Sequence, residues 1–233
     1  MSAAASGPRL RLGPSILTID FGNLEASIRS VAEVVDLFHL DVMDGHYVPN
    51  LTFGASIVEA VRRACDLPLH VHLMIQAPDK FAPDFVRAGA DRVSFHPEVV
   101  DEPAEVIETI RSAGAGAGIA VHPDVDVETA RPYVADLEVV LMMSVRPGWG
   151  GQAFLPEVLP KIEAAATMVR ETGASADVEV DGGVNLSTVD RVVEAGATVI
   201  VAGSAVYDGV DPRAAAGRLR TRLDSLTGGA GRA

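Results

Sequence analysis

His39 and Asp41 stand two positions apart inside an otherwise apolar run of the chain, FHLDV. Residues i and i+2 of a β-strand point to the same face, so both side chains can reach one point. Burying a carboxylate without partners is costly. The pair therefore indicates a polar site on one face of a strand.

Matching side chains occur in two further apolar runs, where His72 belongs to LHVHL and Asp181 ends VEVD. Two imidazoles and two carboxylates suit Zn²⁺ or another first-row divalent ion. The pattern predicts one divalent cation per subunit, held by His39, Asp41, His72 and Asp181, with Zn²⁺ expected and Fe²⁺, Mn²⁺ or Co²⁺ as alternatives. The other interpretation is that these are ordinary buried polar residues satisfied by their neighbours.

Glycine-rich segments form a second group of candidates: Gly148-Trp149-Gly150-Gly151, Gly182-Gly183 and Gly203-Ser204. Each follows a predicted strand and precedes a predicted helix. Backbone N–H groups at such positions can approach an anion closely, and the N-termini of the following helices favour negative charge. The segments predict a phosphate site, unless the glycines only make tight turns.

The elements that must position these residues are short apolar runs alternating with helical patterns along the whole chain. Several runs are continuous in Val, Ile and Leu, as expected of parallel strands covered by helices. The predicted strands are Leu12–Leu17, Leu37–Met43, Leu69–Met74, Arg92–His96, Gly118–His122, Val139–Val145, Asp177–Asp181 and Thr198–Gly203. The predicted helices are Leu24–Val35, Ile57–Ala64, Pro78–Ala88, Pro103–Ala113, Glu157–Glu171, Thr188–Glu194 and Pro212–Leu226.

Four of these helices end at a glycine, Gly89, Gly114, Gly173 or Gly196, which supplies the left-handed conformation that lets the chain turn back. Eight strands at this spacing, with no linker rich in Pro or Ser, predict an α/β fold: a single (β/α)8 TIM barrel over residues 1–233. Flexible ends are expected at about 1–8 and 228–233. A doubly wound open sheet is the alternative. In a barrel, the candidate site residues fall at the carboxyl ends of the strands, where active sites of this architecture lie.

The amino-acid composition argues against several classes of protein. The 233 residues are 48% hydrophobic, enough for a substantial core, and carry a net charge of -13, which argues against nucleic-acid binding. The single cysteine, Cys65, cannot form an intrachain disulfide. No apolar stretch is long enough to span a membrane, and the N-terminus lacks the apolar region of a signal peptide. We expect a cytoplasmic protein with no membrane partner.

Six stretches carry a resemblance to a known family. They are GPSIL at Gly13–Leu17, HLDVMDGHYVPNLTFG at His39–Gly54, VHLMI at Val71–Ile75, SVRPGWGGQAF at Ser144–Phe154, VEVDGGVN at Val178–Asn185 and VAGSAVY at Val201–Tyr207. In this order they resemble the ribulose-phosphate 3-epimerases of the pentose phosphate pathway. The resemblance covers nearly the whole chain.

That resemblance implies a metal-dependent barrel enzyme that interconverts D-ribulose 5-phosphate and D-xylulose 5-phosphate and forms homo-oligomers. Asp41 and Asp181 would be the two acid/base carboxylates and would join His39 and His72 around the metal. The implied contacts with the sugar phosphate are Ser15, His72, Gly148, Trp149, Gly150, Gly151, Asp181, Gly182, Gly183, Gly203 and Ser204. Met43, Met74 and Met143 would line the reaction centre, although adaptable core filling is the other interpretation of these methionines.

The mechanism expected of such an enzyme follows from the reaction. The C3 hydrogen lies next to the C2 ketone, so its removal gives a 2,3-enediolate, whose charge a divalent ion can stabilise. One aspartate removes the proton and the other delivers one to the opposite face. An epimerase for another phosphoketose, such as D-allulose 6-phosphate, and a non-catalytic phosphosugar-binding barrel are the alternatives.

One position departs from the family pattern. Many members have Asp two residues before the metal-binding histidine, whereas this chain has His70. Because His70 shares a face with His72, we expect it to act as a hydrogen-bond donor near the metal or as a competing ligand.

Overall fold

The computed structural model describes residues 9–207 and 209–227, so the chain ends that the sequence predicts to be flexible lie outside the described residues. Eight parallel strands form one sheet in the order β1-β8-β7-β6-β5-β4-β3-β2. The strands are β1 (Arg11–Gly13), β2 (Phe38–Met43), β3 (Leu69–Met74), β4 (Arg92–Phe95), β5 (Gly116–Val121), β6 (Val139–Met143), β7 (Asp177–Asp181) and β8 (Val199–Val201).

Helices follow the strands around the outside of the sheet. They are α1 (Leu24–Val31), α2 (Ala55–Ala64), α3 (Pro78–Arg87), α4 (Pro103–Ser112), α5 (Leu159–Thr172), α6 (Val189–Glu194) and α7 (Pro212–Thr227). Between β5 and β6 the chain instead forms a 3₁₀ helix, Val127–Asp136, that the sequence analysis did not predict. Pro132 lies inside it and cannot donate an α-helical hydrogen bond. Across the described part of the chain, no helix combines the length and the apolar character needed to cross a membrane.

The two ends of the sheet meet and nearly close a barrel. Strand β1 pairs with β8 along its whole length, from Arg11 opposite Val199 to Gly13 opposite Val201. On its other side it touches β2 through a bridge between Ser15 and His39. This closure confirms the predicted barrel and excludes the open sheet.

The first predicted strand is too long. Leu12–Leu17 was expected to be extended, but β1 ends at Gly13 and Ile16–Thr18 forms a short 3₁₀ helix. The Ser15 hydroxyl accepts a hydrogen bond from the Leu17 backbone N–H at 3.2 Å, which caps this turn. The chain therefore leaves the strand at the level of the candidate site.

The glycines expected at helix ends have positive φ angles, as predicted. Gly173 ends α5 at φ 66°, in the left-handed region. Gly196, after α6, has φ 104°, and a Cβ atom there would lie 2.5 Å from the Cβ of Ala166. Glycine at position 196 therefore allows both the turn and the close packing of α6 against α5.

Most of the apolar core lies between strands and helices, while the barrel interior holds stacked polar side chains beside a smaller apolar cluster that includes Leu141 and Met143. Near the amino ends of the strands, Arg92 on β4 reaches across to Asp177 on β7, with Nη1 2.7 Å from Oδ2. One layer higher, His39, His70 and Glu179 meet. The layer above that carries the candidate site.

Candidate active site

The structure brings the four predicted metal ligands together at the carboxyl ends of the strands. Strand register places Asp41 of β2 opposite His72 of β3, with Oδ1 3.1 Å from the His72 Nδ1 atom. The Nε2 atom of His39 lies 3.2 Å from Asp41 Oδ1 and 3.8 Å from Asp181 Oδ2. One ligand atom from each of the four residues lies within 4.8 Å of all the others. This cluster could hold a metal ion.

The two carboxylates reach the cluster from different parts of the barrel wall. Asp41 comes from β2 and Asp181 from β7, and strands β1 and β8 stand between them around the barrel. Asp41 is 3% exposed, and the Asp181 side chain keeps 13% exposure. The two carboxylates therefore approach the cluster from strands that are not neighbours in the sheet.

Ser15 holds the Asp41 carboxylate in place. The serine hydroxyl donates a hydrogen bond of 2.6 Å to Oδ2 of Asp41, the oxygen that does not contact the histidines. Both oxygens of Asp41 are therefore engaged by the protein. Ser15 is 4% exposed and also borders the open cleft above the cluster.

Glu179 is a residue of the site that the sequence analysis missed. It is fully buried, and its Oε1 atom lies 2.8 Å from Nδ1 of His39 and 2.8 Å from Nδ1 of His70. The carboxylate accepts the His39 Nδ1–H and leaves Nε2 facing Asp41 and Asp181. Glu179 stands two residues before Asp181 on β7, so the same-face rule applied to His39 and Asp41 could have found it.

His70 lies outside the four-residue cluster and one layer below His72. Its Nδ1 faces Glu179, and its Nε2 is 2.7 Å from the Ser94 hydroxyl. It belongs to a second group of possible ligands with His39 and Glu179. The structure thus places His70 as a hydrogen-bonding partner of the residue that supports His39.

Burial and charge act in opposite directions on the pKa values of Asp41 and His39. Burial raises the pKa of Asp41, but His39 and then His72 outweigh it, so the pKa of Asp41 falls well below its ordinary value. Burial lowers the pKa of His39, whereas Asp41, Glu179 and Asp181 raise it well above the usual range. The three acidic side chains around the His39 ring thus strongly favour a positive charge at this point.

Asp181 and His72 are shifted chiefly by burial. Burial, assisted by the charge of Asp41, raises the pKa of Asp181 to about 7. Burial lowers the pKa of His72 to about 3, so its ring is neutral at neutral pH. The two carboxylates therefore have pKa values displaced in opposite directions, as in sites that use one acid and one base.

A cleft opens above the cluster at the carboxyl ends of the strands. It collects almost all the predicted substrate and pocket residues: Ser15, Asp41, Met43, Met74, Met143, Gly148, Trp149, Gly150, Gly151, Asp181, Gly182, Gly183, Gly203 and Ser204. His72, which was also expected to touch the substrate, is buried beside Asp41 and does not line the cleft.

The glycine loops after β6 and β7 pack directly on one another. Gly183 has φ 68°, and a Cβ atom there would lie 2.4 Å from the backbone nitrogen of Phe154. Asn50, another residue the sequence analysis did not single out, donates from Nδ2 to the Gly148 carbonyl at 2.7 Å and ties the loop after β2 to the loop after β6. The loops thus form one continuous rim around the cleft.

Comparison with known proteins agrees with this architecture. The model of the ribulose-phosphate 3-epimerase family matches residues 11–207. The chain belongs to this family. It is 46% identical over 213 residues to the ribulose-phosphate 3-epimerase of Bacillus subtilis, covering 91% of this chain and 98% of the relative. It is 45% identical over 227 residues to that of Mycobacterium tuberculosis, covering 97% and 98%.

A solved structure gives the same fold. The crystal structure of 3-hexulose-6-phosphate synthase superposes with a TM-score of 0.70 at 25% identity, covering 91% of this chain and 99% of the other. Membership of the ribulose-phosphate 3-epimerase family makes the chain an epimerase built on a TIM barrel.

Proposed function

We propose that the chain interconverts D-ribulose 5-phosphate and D-xylulose 5-phosphate by inverting C3, with Asp41 and Asp181 as the two acid/base groups. The observation that carries the proposal is the meeting of these two carboxylates, from β2 and β7, at the floor of one cleft. Family membership supports the reaction, since the curated relatives carry the name of this epimerase.

Each carboxylate serves one face of the substrate. Removal of the C3 proton, which is acidified by the neighbouring ketone, leaves a 2,3-enediolate. One aspartate takes this proton, and the other returns a proton from the opposite side. Ser15 orients Asp41 through its 2.6 Å hydrogen bond, whereas the Asp181 side chain is partly exposed to the cleft. Met43, Met74 and Met143 supply the apolar wall that keeps water from the reacting carbon.

The four-residue cluster has the donor set of a divalent-metal site. His39 and His72 offer ring nitrogens, and Asp41 and Asp181 offer carboxylate oxygens, all within 4.8 Å of each other. The acidic side chains around His39 favour a positive charge there, which supports this assignment. A divalent cation held here, Zn²⁺ or alternatively Fe²⁺, Mn²⁺ or Co²⁺, would act as a Lewis acid for the negative charge that develops on the substrate oxygens.

The phosphate is assigned to the glycine rim on the side of Gly148–Gly151, Gly182–Gly183 and Gly203–Ser204. The protein carries a net charge of -13, so long-range attraction cannot draw a sugar phosphate in. Backbone N–H groups of the loops must supply the local positive potential. The convergence of these loops on one cleft supports the assignment.

We also propose a cellular location, a pathway and an oligomeric state for the enzyme. We place it in the cytoplasm and in the pentose phosphate pathway, as a single barrel domain that assembles into a homo-oligomer. Exposed apolar side chains support association: Leu51 is 74% exposed and Phe21 is 44% exposed. Light scattering of the purified protein tests the oligomeric state.

The deciding experiment combines a metal analysis with an epimerase assay. Purified protein should turn over D-ribulose 5-phosphate faster than D-allulose 6-phosphate, lose activity when a chelator removes the metal, and regain it with a divalent ion. Preference for the six-carbon substrate would favour the other phosphoketose epimerase. Sugar phosphate binding without turnover in metal-loaded protein would favour a binding protein, and full activity of metal-free protein would refute the metal's role.

A further inference from the structure

Both histidines of the cluster turn one ring nitrogen toward Asp41 and the other nitrogen away from it. For His39 the outer nitrogen, Nδ1, meets the Glu179 carboxylate directly. For His72 the inner nitrogen is Nδ1, 3.1 Å from Asp41 Oδ1, and the outer nitrogen is Nε2. Within the described part of the chain, the outer nitrogen of His72 makes no hydrogen bond to a carboxylate. It lies 3.0 Å from Nε2 of a second histidine, His96.

His96 connects this contact to an anion. It follows β4, is fully buried, and carries its Nδ1 atom 3.3 Å from Oε1 of Glu98. That contact is long and poorly aligned for a hydrogen bond, and Nδ1 has no better partner among the described residues. It is an electrostatic contact between the His96 ring and a carboxylate. Consecutive contacts therefore connect Asp41 to His72, His72 to His96, and His96 to Glu98.

Tyr47 fixes the far end of this series. Its hydroxyl donates a hydrogen bond of 2.8 Å to the same Oε1 atom of Glu98, and its ring covers the His96 ring at a centroid distance of 4.6 Å. Burial raises the pKa of Glu98, but the His96 ring and the Tyr47 hydroxyl outweigh it and lower the pKa to about 2. Glu98 is thus an anion at neutral pH, and it faces the Nδ1 side of His96.

We propose that Glu98 is a positioning residue for metal binding, acting through His96 to hold His72 with its Nδ1 lone pair turned into the cluster. The inference rests on the proposed function because it assigns His72 to the metal. The Glu98 anion favours a proton on His96 Nδ1. His96 Nε2 is then an acceptor, and it takes the proton of His72 Nε2. A neutral His72 with its proton on Nε2 has a free lone pair on Nδ1.

Glu98 and His96 together orient His72, as Glu179 orients His39. Metal-binding histidines commonly donate their other N–H to a carboxylate, and changing such a partner alters metal affinity or activity by about 10–100-fold. Here the carboxylate is two rings removed from the cluster. The competing arrangement of the same two protons puts one on Nε2 of His96 and the other on Nδ1 of His72, and it would block metal binding at Nδ1.

The first test is metal affinity measured without turnover. Zn²⁺ and Co²⁺ are titrated into metal-free protein in competition with a chelator. Glu98→Gln removes the charge and keeps the shape, so it should raise both dissociation constants by about 10-fold. Tyr47→Phe keeps the ring over His96 and the anion, so its effect should be smaller. The matched control is Glu102→Gln, an exposed glutamate four residues on, which should titrate like the wild type.

The second test needs no variant. Imidazole ¹⁵N NMR of the zinc-loaded wild type should show His96 protonated on Nδ1 and His72 protonated on Nε2. A His96 protonated on Nε2, or a Glu98→Gln protein with unchanged affinity for both metals, overturns the inference. A wild type that binds neither metal overturns both the inference and the metal site. Metal binding without epimerase activity overturns only the proposed reaction.

Discussion

Asp44 accepts a hydrogen bond from the backbone N–H of Gln76 at 2.8 Å, which links the loop after β2 to the loop after β3. The other carboxylate oxygen of Asp44 accepts the backbone N–H groups of His46 and Tyr47, at 2.8 and 2.9 Å. These loops follow the strands that carry Asp41 and His72. Asp44 thus stabilises the chain on the carboxyl side of both residues.

Removing the charge of Asp44 should make the free energy of unfolding less dependent on pH in the acid range. Burial raises the pKa of Asp44, but the three backbone N–H groups outweigh it and lower the pKa below its ordinary value. The stabilisation is complete above about pH 4 and is lost as the pH falls through the lowered folded value. Urea unfolding should therefore show Asp44→Asn about 1 kcal/mol less stable at pH 7, after allowance for solvent screening, and the difference should shrink as the pH falls through the lowered folded pKa of Asp44.

The control for this measurement is Asp66→Asn, at an exposed aspartate between α2 and β3. Its stability should follow that of the wild type at every pH. A gap for Asp44→Asn that is the same at pH 3 and pH 7 would contradict the assignment of the effect to the ionised carboxylate.

Removing the Ser15 hydroxyl should slow catalysis more than it disturbs the fold. Ser15→Ala deletes a hydrogen bond to a buried carboxylate, and such bonds contribute about 1.5–3 kcal/mol. We expect kcat to fall by about 10-fold with the metal retained. Steady-state kinetics and metal analysis check this, with Ser56→Ala, at an exposed serine of α2, as the control. Unchanged kcat would mean that Asp41 is held without Ser15.

The two aspartates should differ in which epimer they serve. Asp41→Asn and Asp181→Asn should each slow epimerisation by at least about 10²–10⁴-fold, since an amide cannot shuttle a proton. The remaining carboxylate can still exchange the C3 proton of one epimer with solvent. NMR in deuterated water should therefore show opposite epimer preferences in the two variants. The result counts only for variants that retain metal, and the same preference in both would show that the carboxylates do not serve opposite faces.

The loop contact at Gly183 should matter for phosphate binding. Gly183→Ala would bring a methyl group to 2.4 Å from the Phe154 backbone and strain a left-handed residue, so the rim must shift. We expect kcat/KM for D-ribulose 5-phosphate to fall at least about 10-fold, because binding energy from the phosphate positions the reacting carbon. Activity on unphosphorylated ribulose, which we expect to be low in the wild type, should change less.

A matched glycine serves as the control for Gly183. Gly217 lies in α7 with no atom within 4 Å of an added Cβ, so Gly217→Ala should leave kinetics unchanged and raise stability by about 0.5–1 kcal/mol. Equal losses of kcat/KM for ribulose and its phosphate in Gly183→Ala would point to general damage instead of a lost phosphate contact.

His70 should contribute mainly to stability. His70→Phe keeps a ring but removes the contacts with Glu179 and with the Ser94 hydroxyl, leaving buried polar groups with fewer partners. The free energy of unfolding should fall by about 3 kcal/mol, within the range for breaking a buried charged contact. Denaturant unfolding measures this loss, and His46→Phe, at an exposed histidine, provides the comparison. A loss below about 1 kcal/mol would show that Glu179 is satisfied without His70.

The sequence predicts the architecture well because parallel barrel strands are continuous apolar runs of nearly fixed spacing. Leu69–Met74 and Asp177–Asp181 were predicted with the bounds that the structure shows. The errors fall where local chemistry replaces periodicity. The Ser15 hydroxyl ends the first strand early by capping a turn, and Pro132 lies in a 3₁₀ helix that carries no clear α-helical pattern.

For the site, spacing within one strand was informative and contacts between distant strands were not. The same-face rule paired His39 with Asp41, and the structure places them together. The same rule places Glu179 on the face of Asp181, but its contact with His39, 140 residues away, depends on how the barrel brings the two strands together, and no local pattern shows that. His96 remained unassigned because its partner, His72, lies on the neighbouring strand at a register that the sequence does not specify.

Strand β1 cannot complete its pairing until β8 has been synthesised. Its full ladder partner begins at Val199, which is synthesised 188 residues after Arg11, whereas β2 offers it only a bridge at Ser15. During translation at about 5–20 residues per second, β1 therefore waits roughly ten seconds or more for that partner. An unpaired strand edge is open to association with other chains. The nascent barrel thus has a period of exposure to misassembly that ends when β8 leaves the ribosome.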